Sequence, residues 1–234
     1  LNIEDLHTHT IFSDGKLNPK QVYALAADKG YKVGISDHCG EGSFQINDDV
    51  RFQEYLKALE GLAVYRSTEL DLGTRIEVSD SILRECDYLI AGIHSIDRLN
   101  FFDENADLPH PQELLELVLD LIDAKAVRYK FDLLAHPGLL PIGYRGRKKA
   151  ILDKKWSQHL VELALKYGFA LEISSRWELP TGETIGMALE AGVRFSLGSD
   201  GHCRDTVCKL DYSLSMIEKY GISEEQMFKV KKSV

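Results

Sequence analysis

The sequence predicts an α/β protein in which seven short strands, alternating with helices, close into a barrel. Three observations predict it. Short apolar runs alternate with helical patterns along all 234 residues. No linker, low-complexity tract or short-period repeat divides them, so residues 1–234 are expected to form a single domain. Residues able to ligate metals stand at the C-terminal end of run after run. A barrel brings all its strand ends to one face, whereas the outer strands of an open sheet cannot meet at one point.

The first run, NIEDLHTH (2–9), ends in His7 and His9, followed by a Ser-Asp-Gly turn holding Asp14. Alternate strand residues share a face, so the two imidazoles point the same way. Residues 18–30 then read as a helix, with Asn18 as N-cap, Pro19 in the first turn and Gly30 as the stop. KVGISDH (32–38) ends in Asp37 and His38, AVYRSTEL (63–70) carries Glu69, and YLIAGIHS (88–95) carries His94. The acidic, aromatic stretch 96–110 is expected to be a lid or specificity loop, short for a bulky polymer substrate. A helix over 110–127 leads to FDLLAHPG (131–138) and His136.

The segment GYRGRKK (143–149) reads as a solvated basic loop, able to meet a phosphate or a nucleic-acid strand. A helix over 154–168 precedes FALEISS (169–175), which contains Glu172 and runs into Arg176 and Trp177. Trp177 and Tyr144 are candidates to stack on a substrate ring or simply to line a crevice. A short helix over 181–192 leads to RFSLGSDGH (194–202), where Asp200 and His202 again share a face, and 213–220 makes a last helix. Six of the eight histidines therefore lie at strand ends; His110 and His159 belong to a helix start and a helix surface.

Hydrophobic and charged fractions of 44% and 28% are ordinary for a globular protein. A net charge of -9 argues against a general nucleic-acid coat or a basic membrane-surface module. No apolar run reaches the roughly 18 residues of a membrane span, and no secretory pattern precedes Asp5. Cys39, Cys86, Cys203 and Cys208 form no CxxC pair and are expected to be reduced, space-filling thiols, which points to the cytoplasm.

Imidazole suits Zn and Fe, and carboxylate suits Mn. The strand ends offer nine ligands: His7, His9, Asp14, His38, Glu69, His94, His136, Asp200 and His202. A single catalytic zinc uses three or four, so the set implies two or three divalent metals (Zn, Mn or Fe), with a carboxylate such as Glu69 bridging. Such metals lower the pKa of a bound water from about 15.7 to about 7, giving a metal-bound hydroxide, and clamp the attacking and leaving oxygens of an in-line displacement. Arg176 and Arg204 are candidate phosphate ligands. Asp37 is expected to orient a ligand imidazole or to serve as a buried ion-pair partner. No single group stands out as the acid for the leaving oxygen; a His or Asp of the set, or a metal-bound water, would each serve.

HTHTIFSDG, SDHCG, the Glu69 of STELDL, GIHS, AHPG and GSDGH together resemble the motifs of the PHP (polymerase and histidinol phosphatase) superfamily, from Leu6 to His202. The resemblance implies a distorted (βα)7 TIM-like barrel with a trinuclear site. His7, His9, Glu69 and Asp200 would hold one metal, Glu69, His94 and His136 the second, and Asp14, His38 and His202 the third. Some members carry a histidine where this chain has Asp14, and many carry a glycine where it has Cys208. The position of Arg176 resembles that of an arginine in histidinol phosphatases, although the local spacing SSRWELP differs. The implied activity is a phosphomonoesterase acting on a small phosphorylated metabolite, histidinol phosphate being one candidate. Two other readings remain open at this stage: a nuclease or nucleotide phosphodiesterase with the same metals, and a non-catalytic metal-binding regulatory domain.

Overall fold

The computed structural model describes residues 2–231. The first run becomes β1 (Glu4–Asp5). The second is split into β2 (Lys32–Ile35) and β3 (His38–Cys39), and the third into β4 (Tyr65–Arg66) and β5 (Glu69–Asp71). The fourth is β6 (Ile90–Gly92), followed by an antiparallel hairpin of β7 (Ser95–Ile96) and β8 (Leu99–Asn100). β9 (Leu133–Leu134), β10 (Ala170–Ser174) and β11 (Phe195–Gly198) carry the last three runs.

Apart from the hairpin, every strand pair is parallel, in the orders β1-β2-β4 and β3-β5-β6-β9-β10-β11. Since β2 and β3 lie on one path, and β4 and β5 on another, the two sheets are one succession of seven neighbours in chain order. Its ends meet. Leu6 N–H donates to Leu197 O and His9 N–H to Gly201 O, each at 2.9 Å, and Thr8 bridges Gly201 in parallel. The fold is thus an α/β barrel of the (βα)7 kind, distorted where Ser36-Asp37 and Ser67-Thr68 interrupt the ladders.

The helices surround it: α1 (Pro19–Lys29), α2 (Asp49–Leu59), α3 (Asp80–Leu83), α4 (Pro111–Tyr129), α5 (Lys148–Ile151), α6 (Lys154–Tyr167), α7 (Gly182–Ala191) and α8 (Asp211–Tyr220). α1 begins with the expected cap, extended to a reciprocal box in which Asn18 and Gln21 side chains each accept the other's backbone N–H. α2 has no counterpart among the expected helices. It forms because Asp48 caps it and Phe52, Tyr55, Leu56 and Leu59 line one buried face. The basic segment is also not a simple loop: Ile142–Arg147 is a 3-10 helix that runs into α5.

Strand residues alternate between two apolar layers. Val33, Ile35, Leu70, Leu134, Leu171 and Phe195 belong to the large core shared with the helices. Leu6, Tyr65, Ile90, Leu133 and Ala170 form, with Tyr88 and Phe228, a smaller cluster inside the barrel. That cluster is the dry floor under the strand-end histidines. Two inward glycines leave room for charged groups above it: a Cβ at Gly92 would collide with Glu69 Oε1, and one at Gly198 with Glu172 Oε1. Among the described residues no helix is long and apolar enough to cross a membrane.

Candidate metal centre

All nine candidate ligands converge on the C-terminal face, with Glu69 at the middle. This carboxylate is fully buried and its two oxygens face different imidazoles. Oε1 lies 3.0 Å from His136 Nε2 and 3.5 Å from His94 Nε2. Oε2 lies 2.9 Å from His38 Nδ1, 3.2 Å from His7 Nε2 and 3.6 Å from His9 Nε2. Asp200 Oδ1 is 3.2 Å from His9 Nε2 and 3.4 Å from His202 Nδ1. Asp14 reaches in from the turn after β1, 3.1 Å from His202 Nε2 and 3.6 Å from His38 Nε2.

Three groups have donor atoms all within 4.8 Å of one another: His9, Asp14, His38 and His202; His7, His9 and Glu69; and His38, Glu69 and His94. Their overlap with the expected partition is partial. The outer group gains His9, the first lacks Asp200, and in the second His38 stands where His136 was expected. His9 and His38, whose rings stack at 4.3 Å, lie between groups rather than within one.

Several buried imidazole nitrogens and carboxylate oxygens crowd together without a full set of hydrogen bonds. Among the described residues His9 Nδ1 has no hydrogen-bond partner, and His38 Nδ1 and Glu69 Oε2, though 2.9 Å apart, do not meet in hydrogen-bond geometry. His7 Nε2 and His9 Nε2 face each other at 3.0 Å. An unsatisfied buried polar group costs about 1–3 kcal/mol, and a fold retains several only where something else engages them. Imidazoles and carboxylates together form the donor set of Zn, Mn or Fe. The residues present fit divalent metals.

The electrostatics agree. Burial first, then neighbouring His38, His202 and His7, pushes His9 down to about 3, so it presents a neutral ring. Against the cost of burial, the surrounding imidazoles hold Glu69 and Asp200 well below the usual carboxylate range, and Asp14 below it too. Burial lowers His7, His38 and His202, but Glu172 and Glu69 outweigh it at His7, Glu69 at His38, and Asp14 and Asp200 at His202, so all three are raised. A proton and a metal compete for those lone pairs, so a field that favours the imidazolium also draws a cation.

The supporting shell holds most of what the sequence did not assign. Glu172, mid-strand in β10, places Oε1 2.8 Å from His7 Nδ1, and its Oε2 accepts the His136 backbone N–H. It directs His7 Nε2 to the cluster, the role expected of Asp37. The only sequence signal for it is a carboxylate inside an apolar strand run. Asp71, two residues past Glu69 on the same face, lies 3.7 Å from His94 Nδ1 and accepts Gln45 Nε2–H. Asp37 itself receives the N–H and hydroxyl of both Thr10 and Ser13 at 2.6–3.1 Å and no imidazole. It holds the turn that carries Asp14, one step farther from the ligands than expected. His136 and Asp200 adopt positive φ, 32° and 48°, the kind of strained backbone that marks functional sites.

A cavity of about 420 Å3 opens above the cluster. Arg176 lines it, with Nη1 2.7 Å from His202 Nδ1 and 3.4 Å from Asp200 Oδ1. Trp177 lines it as well, donating Nε1–H to Asp200 Oδ2 at 2.6 Å. The loop expected as a specificity element supplies Asn100 and Phe102, and Phe44 completes an apolar rim. Arg204 is exposed and is not part of this wall, and Tyr144 instead gives its hydroxyl to Pro109 O. Cys208 takes φ 58°, a backbone conformation that favours glycine, its N–H donating to Asp5 Oδ2 at 3.0 Å.

A family model described as the PHP domain matches residues 5–176. The chain belongs to the PHP family. The match ends at Arg176; Asp200 and His202, beyond it, lie beside the matched residues in the structure, with Asp200 Oδ1 3.2 Å from His9 Nε2 and His202 Nε2 3.1 Å from Asp14 Oδ2. The DNA polymerase/3'-5' exonuclease PolX of Bacillus subtilis is 27% identical over 213 residues, covering 85% of this chain. The chain spans 34% of that relative's length. A "probable phosphatase" of Caldicellulosiruptor saccharolyticus is 25% identical over 235 residues, covering 94% of this chain and 89% of the relative. A solved structure titled as a "putative histidinol phosphatase" from Listeria monocytogenes superimposes with a TM-score of 0.62 at 13% identity, over 90% of this chain and 99% of that one. It shares the PHP fold. Membership of the PHP family, shared with the probable phosphatase, supports a hydrolase.

Proposed function

We propose that this chain, acting as a single PHP domain in the cytoplasm, is a phosphomonoesterase that hydrolyses a small phosphorylated molecule, histidinol phosphate being one candidate. Its metal-holding set is His7, His9, Asp14, His38, Glu69, His94, His136, Asp200 and His202, for two to three Zn, Mn or Fe ions. The observation that carries this reading is Glu69, whose two oxygens face separate imidazole groups, as a carboxylate bridging two cations must. Metals bound there supply Lewis acidity and activate water near neutral pH.

The chain's own groups do the rest. Glu172 fixes the orientation of His7, and Trp177 fixes Asp200. Arg176, at the cavity wall beside Asp200 and His202, offers guanidinium donors to phosphoryl oxygens as charge builds on them. Phe44 and Phe102 receive the organic part of the ester and displace water around it.

The test is elemental analysis of purified protein, paired with p-nitrophenyl phosphate hydrolysis before and after chelation. Two to three metals per chain, with activity lost on chelation and restored by Mn or Zn, is the expected result. One metal or none under replete conditions overturns the ligand assignment. A second reading, phosphodiester cleavage by the same centre, is favoured by the similarity to the polymerase/exonuclease. Full metal loading with activity on short oligonucleotides and none on the aryl phosphate would select it.

A further inference from the structure

Of the four bases in the 143–149 segment, Arg147 and Lys149 are exposed, whereas Arg145 and Lys148, three residues apart, are half-buried. Both line a second cavity of about 240 Å3. It adjoins the one above the metal cluster, and Arg176 and Trp177 belong to both walls.

Arg145 is rigidly held there. Its Nε and Nη2 donate to Leu140 O and Phe101 O at 3.0 and 3.1 Å. Its guanidinium lies 4.8 Å from the ring centres of both Phe102 and Trp177. Arg176 packs on the same indole at 5.0 Å. No carboxylate pairs with Arg145 among the described residues, and burial together with the charge of Arg176 lowers its pKa. Lys148 donates to Trp177 O at 2.9 Å and lies 3.8 Å from Glu178 Oε2. Three cations thus line this cavity against one carboxylate, in a chain whose net charge is -9. A half-buried guanidinium with no carboxylate beside it and two further cations at the same wall is unfavourable unless an anion joins it. Guanidinium and ammonium groups in a concave site suit a phosphate.

We propose that this second cavity is an anion subsite for a second phosphoryl group of the substrate, so that a small bisphosphate binds with one group over the metal cluster and the other between Arg145 and Lys148. The proposal rests on the phosphomonoesterase reading for the first group. The neighbouring phosphate of a short nucleic acid has the same chemistry and is the other possible source.

Calorimetric titration of the metal-loaded protein tests it, with α,ω-alkanediol monophosphates and bisphosphates of graded length and a 5'-phosphorylated dinucleotide. One bisphosphate length is expected to bind at least about tenfold tighter than its monophosphate, the margin of one charge-assisted contact. Lys148→Met and Arg145→Gln should each collapse that ratio, Arg145→Lys should restore part of it, and the exposed control Arg147→Gln should leave it unchanged. A margin seen only with the dinucleotide, and lost in the same variants, supports the subsite and assigns it to a nucleic-acid backbone. No margin for any ligand, or one that survives both substitutions, overturns the proposal. p-Nitrophenyl phosphate turnover separates the two readings. Turnover without a bisphosphate margin removes the subsite alone, and a margin without turnover removes the phosphomonoesterase alone.

Discussion

Glu172 shows how much one unassigned side chain can decide. It touches His7 and the His136 backbone, ligands from opposite sides of the barrel. Glu172→Gln keeps the size but weakens the acceptor at His7 Nδ1. Metal affinity is expected to fall about 10- to 100-fold, measured by competition with a chromophoric chelator. The metal-free protein offers a second test at this scale. Burial disfavours the His7 imidazolium, but Glu172 and Glu69 overcome it and raise its pKa well above 6.5. A raised folded pKa contributes stability that is complete below the unfolded value and lost as pH rises through the folded one. Glu69 and Asp200, held low, contribute stability that is present above their unfolded values and lost as pH falls through the folded ones. The chelated protein should therefore melt at lower temperature as pH rises above about 6.5. Added Zn or Mn should reverse the trend, because metal displaces protons more easily at higher pH. Thermal denaturation across pH, with and without metal, checks both signs.

Among the elements, the turn after β1 is the weakest-supported part of the site, since Asp14 is exposed. Its geometry depends on Asp37, which binds both Thr10 and Ser13. Asp37→Ala leaves those donors without a partner at a cost of about 2–3 kcal/mol. It is expected to weaken the metal held by Asp14 and His202 while sparing those at Glu69. Metal stoichiometry by mass spectrometry should then drop by one site and not to zero. The 143–149 segment illustrates a limit of pattern reading. Its composition reads as a solvated loop, yet two of its bases are half-buried, because Phe102 and Trp177, distant in sequence, give Arg145 two aromatic faces. α2 was legible in principle from its cap and apolar period, whereas the partner rings of Arg145 were not.

At the scale of the whole molecule, closure of the barrel is what makes one site of seven strand ends. Asp5 closes it chemically. It is fully buried and accepts Ser199 N–H and hydroxyl at 2.8 and 2.6 Å, Cys208 N–H at 3.0 Å and His7 N–H at 3.4 Å. Asp5→Ala is expected to cost about 3 kcal/mol or more, lowering the denaturant midpoint and releasing metals from the whole cluster together. Loss of stability with unchanged metal content would show that closure and site assembly are independent.

The sequence by itself determined the alternating βα order, the cap and stop of α1 and the nine candidate ligands, because these are local. A capping residue acts within one turn, a strand's period is two, and a ligand at the end of a parallel strand lies on the barrel's top face wherever its neighbours stand. Only the tertiary structure decided that Glu69 meets five imidazoles, that Glu172 and not Asp37 aligns His7, that His9 and His38 lie between metal groups, and that Arg145 sits half-buried without a carboxylate. Those facts are distances across the barrel between residues far apart in sequence. Inward glycines such as Gly198 and the closure from Leu6 to Leu197 set them, and no local pattern encodes such distances.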